Sequence, residues 1–347
     1  METFFLVFML VSNTAATVLM LRLLGISDRY YAGRKTERRY FRYFIWSVIG
    51  MAVINTALQL LYPHRVRFET GSFRELSGAD AAMVLIGHTL DLLNLFMTTV
   101  FLFLWLVYVS WRLYPGRDYA RRRFWRSLAP LLLSGATVVI SFIVILFVRD
   151  TGLISLISVF AFLIIRVIYF IVSVLRINLY NRQNGRIKFF SVRGFYIPVV
   201  LGTLIEDFTD FNVRALGAAI GITFLYASIV LEQRYQDSET GLYNSSYREY
   251  LEKLMQHRRF SPCSAMVFTA GDADSIKELS AVLKKKLPKD CEPIRHSDCE
   301  VVVLTQVREK APLYLVTQEV QELTQVKADC VLKKKSETPA EFMERVL

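Results

Sequence analysis

Charge is scarce in this chain: 21% of its 347 residues are Asp, Glu, Lys or Arg, where soluble domains carry about 25%. With 53% hydrophobic residues and a mean hydropathy of +0.34, that scarcity excludes a single soluble enzyme domain. Cysteine is scarce too. The four, Cys263, Cys291, Cys299 and Cys330, include no C-x2-C pair, which excludes a secreted disulfide scaffold and offers no zinc-ligand spacing. There is no Walker loop, G-x-G-x-x-G stretch, nucleophile elbow or H-E-x-x-H motif. The net charge of +11 is unevenly held. Residues 1–234 carry 25 Lys and Arg against 13 Asp and Glu, a net of +12, while residues 235–347 carry 17 against 18, a net of −1. A nucleic-acid partner is therefore not expected, because the segment that could be soluble is neutral.

What is abundant is long apolar sequence. A helix needs about 20 mostly apolar residues to cross the hydrocarbon. Seven stretches qualify: 4–24, 43–62, 84–111, 128–148, 153–175, 195–210 and 214–232. The first lacks the basic flank of a cleaved signal and reads as a span. The sixth is the shortest and ends in Glu206, Asp207 and Asp210. Basic residues collect in alternate connections. Arg22, Arg29, Arg34, Lys35, Arg38, Arg39 and Arg42 fill the first, Arg112, Arg117, Arg121, Arg122, Arg123 and Arg126 the third, and Arg176, Arg182, Arg186, Lys188 and Arg193 the fifth. In the second, Arg65, Arg67 and Arg74 are offset by Glu69, Glu75 and Asp80. Lys and Arg stay on the cytoplasmic side, so the pattern predicts seven spans over residues 1–233 with an external amino terminus. Residues 234–347 then form a cytoplasmic domain on the inner face of a bacterial-type plasma membrane.

Ionisable residues inside spans are expensive, roughly 2.5–3.5 kcal/mol at a helix centre. Asp91 and Arg166 are such residues, and His88, Asp91 and Asn94 share one helical stripe at i, i+3 and i+6. With Glu206, Asp207 and Asp210 they define two equally weighted expectations. One is an outward-facing pocket for a small molecule or peptide end, of cationic or polar character. The other is internal helix–helix hydrogen bonding. Arg166 lies deeper than Asp91, so no pairing of the two is expected.

After the last span, Leu231-Glu-Gln-Arg234 runs without a Pro or Gly linker into Asp237-Ser-Glu-Thr-Gly-Leu-Tyr-Asn-Ser-Ser-Tyr247. This segment resembles the opening motif of the GGDEF family, the diguanylate cyclases, D-x-L-T-G-L-x-N-R-R-x-F. Asp237, Thr240, Gly241, Leu242, Tyr243 and Asn244 match, while Glu239 stands for Leu and Ser245-Ser246 for the Arg pair. Its own physics is a turn that starts a helix. Beyond it, strands are predicted at 265–269, 300–305 and 326–333 and helices at 273–287, 311–323 and 339–347, an α/β sandwich. The family resemblance implies the same fold class, so the whole chain reads as an α-helical seven-transmembrane bundle followed by a small α/β domain of nucleotide-cyclase type.

The resemblance also implies what the domain has lost. The family's R-x-G-G-D/E-E-F hairpin falls on Arg295-His-Ser-Asp-Cys-Glu-Val301. Ser297 and Asp298 then stand at the glycines, Cys299 at the acidic metal position, Glu300 at the Glu and Val301 at the Phe. Side chains at the glycines obstruct close approach, and a thiol is a poor ligand for magnesium. The family's second metal-binding Asp has no clear counterpart, Asp272 and Asp274 being the only acids nearby, and Pro288-Lys-Asp290 does not match its inhibitory product site. No catalytic residue, metal or cofactor is expected. The expected function is a membrane sensor whose silent GGDEF-like domain acts through contacts, as a homodimer or with an active GGDEF protein. The alternatives are a transporter or channel subunit, and an active cyclase making cyclic di-GMP from GTP.

Overall fold

The structure is a computed structural model. It describes residues 2–30, 35–68, 78–113, 117–148, 151–184, 189, 192–209, 211–237, 239–256, 260–287, 291–307 and 309–347. Arg34, Glu69, Arg74, Glu75, Arg186, Lys188, Asp210 and Pro288–Asp290 fall outside them, as does the side chain of Asp207. The chain forms two compact units, Met1–Ser228 and Ile229–Leu347.

The first unit holds α1 (Glu2–Tyr30), α2 (Lys35–Phe68), α3 (Gly78–Leu113), α4 (Arg117–Val148), α5 (Thr151–Asn184), α6 (Val192–Phe208) and most of α7 (Arg214–Tyr235). Six of these are long and apolar enough to cross a membrane: Leu6–Ser27, Glu37–Leu61, Leu85–Leu113, Phe124–Val144, Ile157–Arg182 and Arg214–Tyr235. The seventh expected span, 195–210, falls on α6, whose 17 residues rise only about 26 Å against an apolar core of about 30 Å.

Burial in this unit is inverted relative to a soluble protein. Val11, Val18, Trp46, Val53, Leu60, Leu132, Val139 and Ile164 are exposed on the outside, while Asn13, Asn55, Gln59, Thr98, Ser141, Ser158 and Arg166 are buried. In water such a surface would aggregate; in lipid it is the stable arrangement, with polar groups bonding between helices. Thus Ser141 and Ser158 share a hydrogen bond of 2.7 Å between α4 and α5, and Trp105 Nε1 donates to Tyr196 Oη at 2.8 Å between α3 and α6. The middle of α3, residues 101–110, is buried on every side. Phe195 of α6 stacks on Trp105 with ring centroids 3.8 Å apart.

The second unit begins at Ile229, in the last two turns of α7 and five residues before the expected boundary at 234. It continues through α8 (Tyr247–Gln256), β1 (Ser264–Thr269), α9 (Ala273–Lys286), β2 (Cys291–Arg295), β3 (Glu300–Thr305), α10 (Lys310–Thr324), β4 (Lys327–Leu332) and α11 (Pro339–Val346). The strands form one antiparallel sheet in the order β2-β3-β1-β4. From β1 onward the order of elements is β-α-β-β-α-β, the split arrangement of ferredoxin-like domains. Strand β2 is absent from the sequence reading because Cys291-Glu-Pro-Ile-Arg295 contains a proline and no β-branched run; it is an edge strand, where proline is tolerated.

Alternation assigns the faces. Met266, Phe268, Val301 and Val303 point to one side and pack with Ile276, Leu279 and Leu283 of α9 and Leu313 and Val320 of α10. Glu292, Ile294, Val302 and Leu304 point to the other, where Tyr247 of α8 donates to Glu292 Oε2 at 3.2 Å. At the end, Thr338 and Glu341 form a capping box at the start of α11, and Arg345 bridges Glu337 at 2.7 Å and donates to the Leu332 carbonyl at 3.1 Å. The Arg345 hydrogen bonds hold the Glu337 carboxyl down to about 2, from an ordinary 4.5. A depressed carboxylate contributes stability in full above its unfolded value and loses it as pH falls. Protection of the α11 amides from hydrogen exchange, corrected for intrinsic rate, is therefore expected to decline between pH 4.5 and about 2, and Glu337→Gln is expected to reduce that decline, the remainder belonging to Glu341, whose carboxyl the Thr338 hydrogen bonds also hold below its ordinary value.

Candidate functional site

In the first unit, polar chemistry gathers where α6 turns into α7. Glu206, near the end of α6, and Arg214, the first residue of α7, form an ion pair of 3.3 Å whose side chains are 7% and 5% exposed. The Arg214 backbone N–H donates to the other Glu206 oxygen at 2.9 Å, Asn94 Nδ2 donates to Oε1 at 3.3 Å, and Arg214 Nη1 donates to Thr98 Oγ1 at 3.2 Å. Such satisfaction is what a buried pair requires, since each ion has left water. The turn is tight because the helices touch through glycines: Gly202 and Gly217 face one another and the Pro198 carbonyl lies against Gly217.

Next to the pair lies a cavity of about 190 Å³ whose lining includes Met51, Thr98, Arg166 and Arg214 among apolar side chains and no carboxylate. Arg166 Nη2 donates to the Leu95 carbonyl at 3.2 Å. Of the residues singled out from sequence, Asn94 and Glu206 are thus brought together, and Arg166 lines the neighbouring cavity, which neither of them lines. His88 and Asp91, partly buried on α3, do not line it. Glu206 is engaged by Arg214 and Asn94.

Sequence reading passed over Arg214, and over three amides. Asn13, Asn55 and Gln59 are almost fully buried, and neither the nitrogen nor the oxygen of any of these side chains has a hydrogen-bond partner; Asn94 Oδ1 lacks one as well. An unpaired buried polar group costs about 1–3 kcal/mol. The signal was present, since Asn55 and Gln59 sit at i and i+4 of an apolar span, one turn apart on one face.

In the second unit, the opening motif ties the end of α7 to the β2–β3 hairpin. Gly241, at φ 61°, supplies the left-handed residue of the turn, and its N–H donates to the Asp237 carbonyl at 2.8 Å. Asn244 donates through its backbone N–H to the Tyr235 carbonyl and through Nδ2 to that of Arg234, at 2.9 and 2.8 Å. Tyr243 adds itself to the edge of β2, its N–H donating to the Pro293 carbonyl at 3.1 Å and its carbonyl accepting from Arg295 N at 2.7 Å. Leu242 enters the core. Four tyrosines complete the junction: Tyr243 stacks on Tyr247 at 3.8 Å, and Tyr235 and Tyr250 lie 5.5 Å apart. Burial, and then the Glu292 carboxylate, raises the Tyr243 and Tyr247 hydroxyls well above the ordinary phenol range.

Arg295 is the hub. Its Nη1 bonds Asp237 Oδ2 and Glu239 Oε2, each at 3.0 Å, and its Nη2 bonds Asp298 at 3.1 Å. Asp237 also accepts from Thr240 N at 2.8 Å and Thr240 Oγ1 at 2.6 Å. Burial pushes the Asp237 carboxyl up, but the Thr240 and Arg295 bonds together outweigh it and hold it below the ordinary value. Glu239 and Asp298 thus both bond the Arg295 guanidinium.

Ser297 and Asp298 are exposed, and neither has a positive φ. The His296 and Ser297 N–H groups donate to the Glu300 carbonyl at 3.0 and 3.2 Å, and Cys299 is an exposed thiol. Val301 is buried in the core, and the Glu300 carbonyl closes the turn. Asp272 caps α9, accepting from Ser275 N at 2.7 Å, and Asp274 pairs with Lys277 at 3.1 Å. Among the described residues no three His, Cys, Asp or Glu side chains converge in a metal-ligating group. The sequence matches no protein-family model and no curated protein.

Proposed function

We propose that the protein is a membrane signalling protein: the helical bundle senses, and a degenerate GGDEF-like domain reports by contact without catalysis. The observation that carries this reading is the junction at Arg295, which joins the segment leaving α7 to the tip of the β2–β3 hairpin through three carboxylates. A rotation or shift of the last helix would be felt at that tip with no flexible linker between. In the resembling family the corresponding hairpin meets the guanine nucleotide. Here the residues fit a magnesium-held triphosphate poorly, because a thiol, Cys299, stands at the acidic metal position and the tip carries side chains where close approach is needed. The output is then a protein interaction, with a second copy or with an active GGDEF protein.

The same reading takes α6 as a crossing in spite of its 17 residues, the shortfall met by local thinning of the bilayer, so that the second unit lies in the cytoplasm. Support comes from its antiparallel run along α7, with Phe195 against Gly221, Pro198 against Gly217 and Glu206 against Arg214, and from the basic first, third and fifth connections.

Incubating the purified full chain with magnesium and GTP is expected to give no cyclic di-GMP. Cross-linking in membranes is expected to recover a partner, and Arg295→Ala to reduce that recovery while lowering stability by about 1.5–3 kcal/mol, the loss of charged hydrogen bonds. Cyclic di-GMP formation would refute the silent-domain reading.

A further inference from the structure

We propose that the cavity beside the Glu206–Arg214 pair is a lateral binding site for one acyl chain of a membrane phospholipid. The proposal rests on the sensing reading above and gives it a ligand class, with the bilayer itself as the source.

The cavity lies at hydrocarbon depth and opens to the outside of the bundle. Thr98 in its wall stands midway along the apolar span Leu85–Leu113, and Arg166 to Phe170 stand near the middle of Ile157–Arg182. A bilayer holds no bulk water at that depth. The rim carries Leu163 and Val167 of α5 and Leu204 of α6, which are 42%, 46% and 45% exposed. These residues belong to the lipid-facing surface, so the mouth opens between α5 and α6 toward the acyl chains. The floor is Met51, Phe101 and Ala218, each 1% exposed.

The wall selects an apolar guest. Its exposed atoms are almost all carbon, and its four polar residues are bonded within the protein. Thr98 Oγ1 donates to the Asn94 carbonyl at 3.0 Å and Thr203 Oγ1 to the Val199 carbonyl at 2.8 Å. Arg166 donates to the Leu95 carbonyl, and Arg214 to Glu206 and Thr98. A cation finds no carboxylate in the wall, and an anion would compete with Glu206 for Arg214. Size agrees as well. An apolar cavity of about 150 Å³ takes up benzene, and this one, at about 190 Å³, admits several methylene groups. An empty space of this kind forfeits the dispersion contacts of its lining; a chain entering from the bilayer restores them without leaving an apolar medium. Because Arg214 and Ala218 belong to the wall, the chain bears on α7, which runs on into the second unit.

The test places the full chain in phosphatidylcholine nanodiscs doped with a phosphatidylcholine whose acyl chain bears a diazirine near its middle. Irradiation expels dinitrogen and leaves a carbene that inserts into the nearest bond, and adducts are assigned by peptide mass. Adducts are expected on Met51, Phe101 or Ala218, which lipid lying on the outer surface does not touch. Val167→Trp, which fills the mouth from an exposed position, is expected to lower those adducts several-fold and to leave adducts at Val139, on the outer surface of α4, unchanged. Val200→Phe fills the space from α6 and repeats the reading should the first variant fail to elute as folded protein. Adducts confined to Leu163, Val167 and Leu204 would show a chain lying across the mouth and overturn the site. Floor adducts undiminished in both variants would overturn it too. A free fatty acid with the same diazirine, at equal mole fraction, is expected to label the floor no better than the phospholipid. Much stronger labelling by the acid would assign the cavity to a carboxylate and overturn the phospholipid source. None of these readings depends on cyclic di-GMP or on a cross-linked partner, so failure here is distinct from failure of the sensing reading.

Discussion

Replacing Gly217 by leucine is expected to abolish recovery of folded protein, and even Gly217→Ala to lower the thermal midpoint in detergent clearly. A β-carbon at 217 would sit 2.4 Å from the Pro198 carbonyl oxygen and 3.1 Å from the Gly202 α-carbon. Both obstacles are backbone, so no side-chain rotation relieves them; α6 and α7 must move apart. Overpacking costs about 1–3 kcal/mol even where side chains can yield, and here separation also strips the contacts that hold Glu206 beside Arg214. Gly25 provides the comparison, because a β-carbon there meets nothing within 4 Å. Gly25→Ala is expected to leave the midpoint unchanged or raise it slightly, alanine being the better helix former. Equal behaviour of the 217 and 25 variants would refute the close α6–α7 packing.

The second large effect is expected at the ion pair. Glu206→Ala removes the carboxylate that receives the Arg214 guanidinium, the Arg214 N–H and the Asn94 amide. Breaking one side of a buried pair typically costs about 3–5 kcal/mol, since a charge is left in a medium that solvates it poorly. Glu206→Gln keeps an acceptor and should cost less. Removing both charges, Glu206→Leu with Arg214→Met, should recover much of the loss, because an apolar pair of similar volume is often no worse than the ions. Thermal midpoints of the four proteins in one detergent check this. A double variant less stable than Glu206→Ala would mean that Arg214 contributes mainly through other contacts.

Legibility from sequence differed between the two units. In the second, the expected elements of 264–346 appear within one or two residues, because Ala265–Thr269 and Glu300–Thr305 are apolar and rich in β-branched residues while 273–287 is amphipathic. Strand β2 escaped, as its five residues have neither periodicity nor β-branched density and depend on pairing with β3. In the first unit long apolar helices were plain from hydropathy, since length and composition alone decide whether a segment can cross lipid. The candidate site was half legible. Asn94 and Glu206 stood out as polar residues in apolar spans, but Arg214 reads as a flank charge until the α6–α7 turn brings it back onto Glu206.

Local sequence by itself determined two things here: which segments are apolar enough for a bilayer, and that a tight turn follows the last apolar helix at Asp237–Asn244. Both depend on properties of neighbouring residues, transfer free energy in one case and left-handed backbone freedom at Gly241 in the other. Which polar groups meet was decided only by tertiary structure. Arg295 gathers acids from positions 237, 239 and 298, and Glu206 gathers donors from 94 and 214. Such partners are set by the crossing of helices and the register of strands, and those are properties of the packed chain.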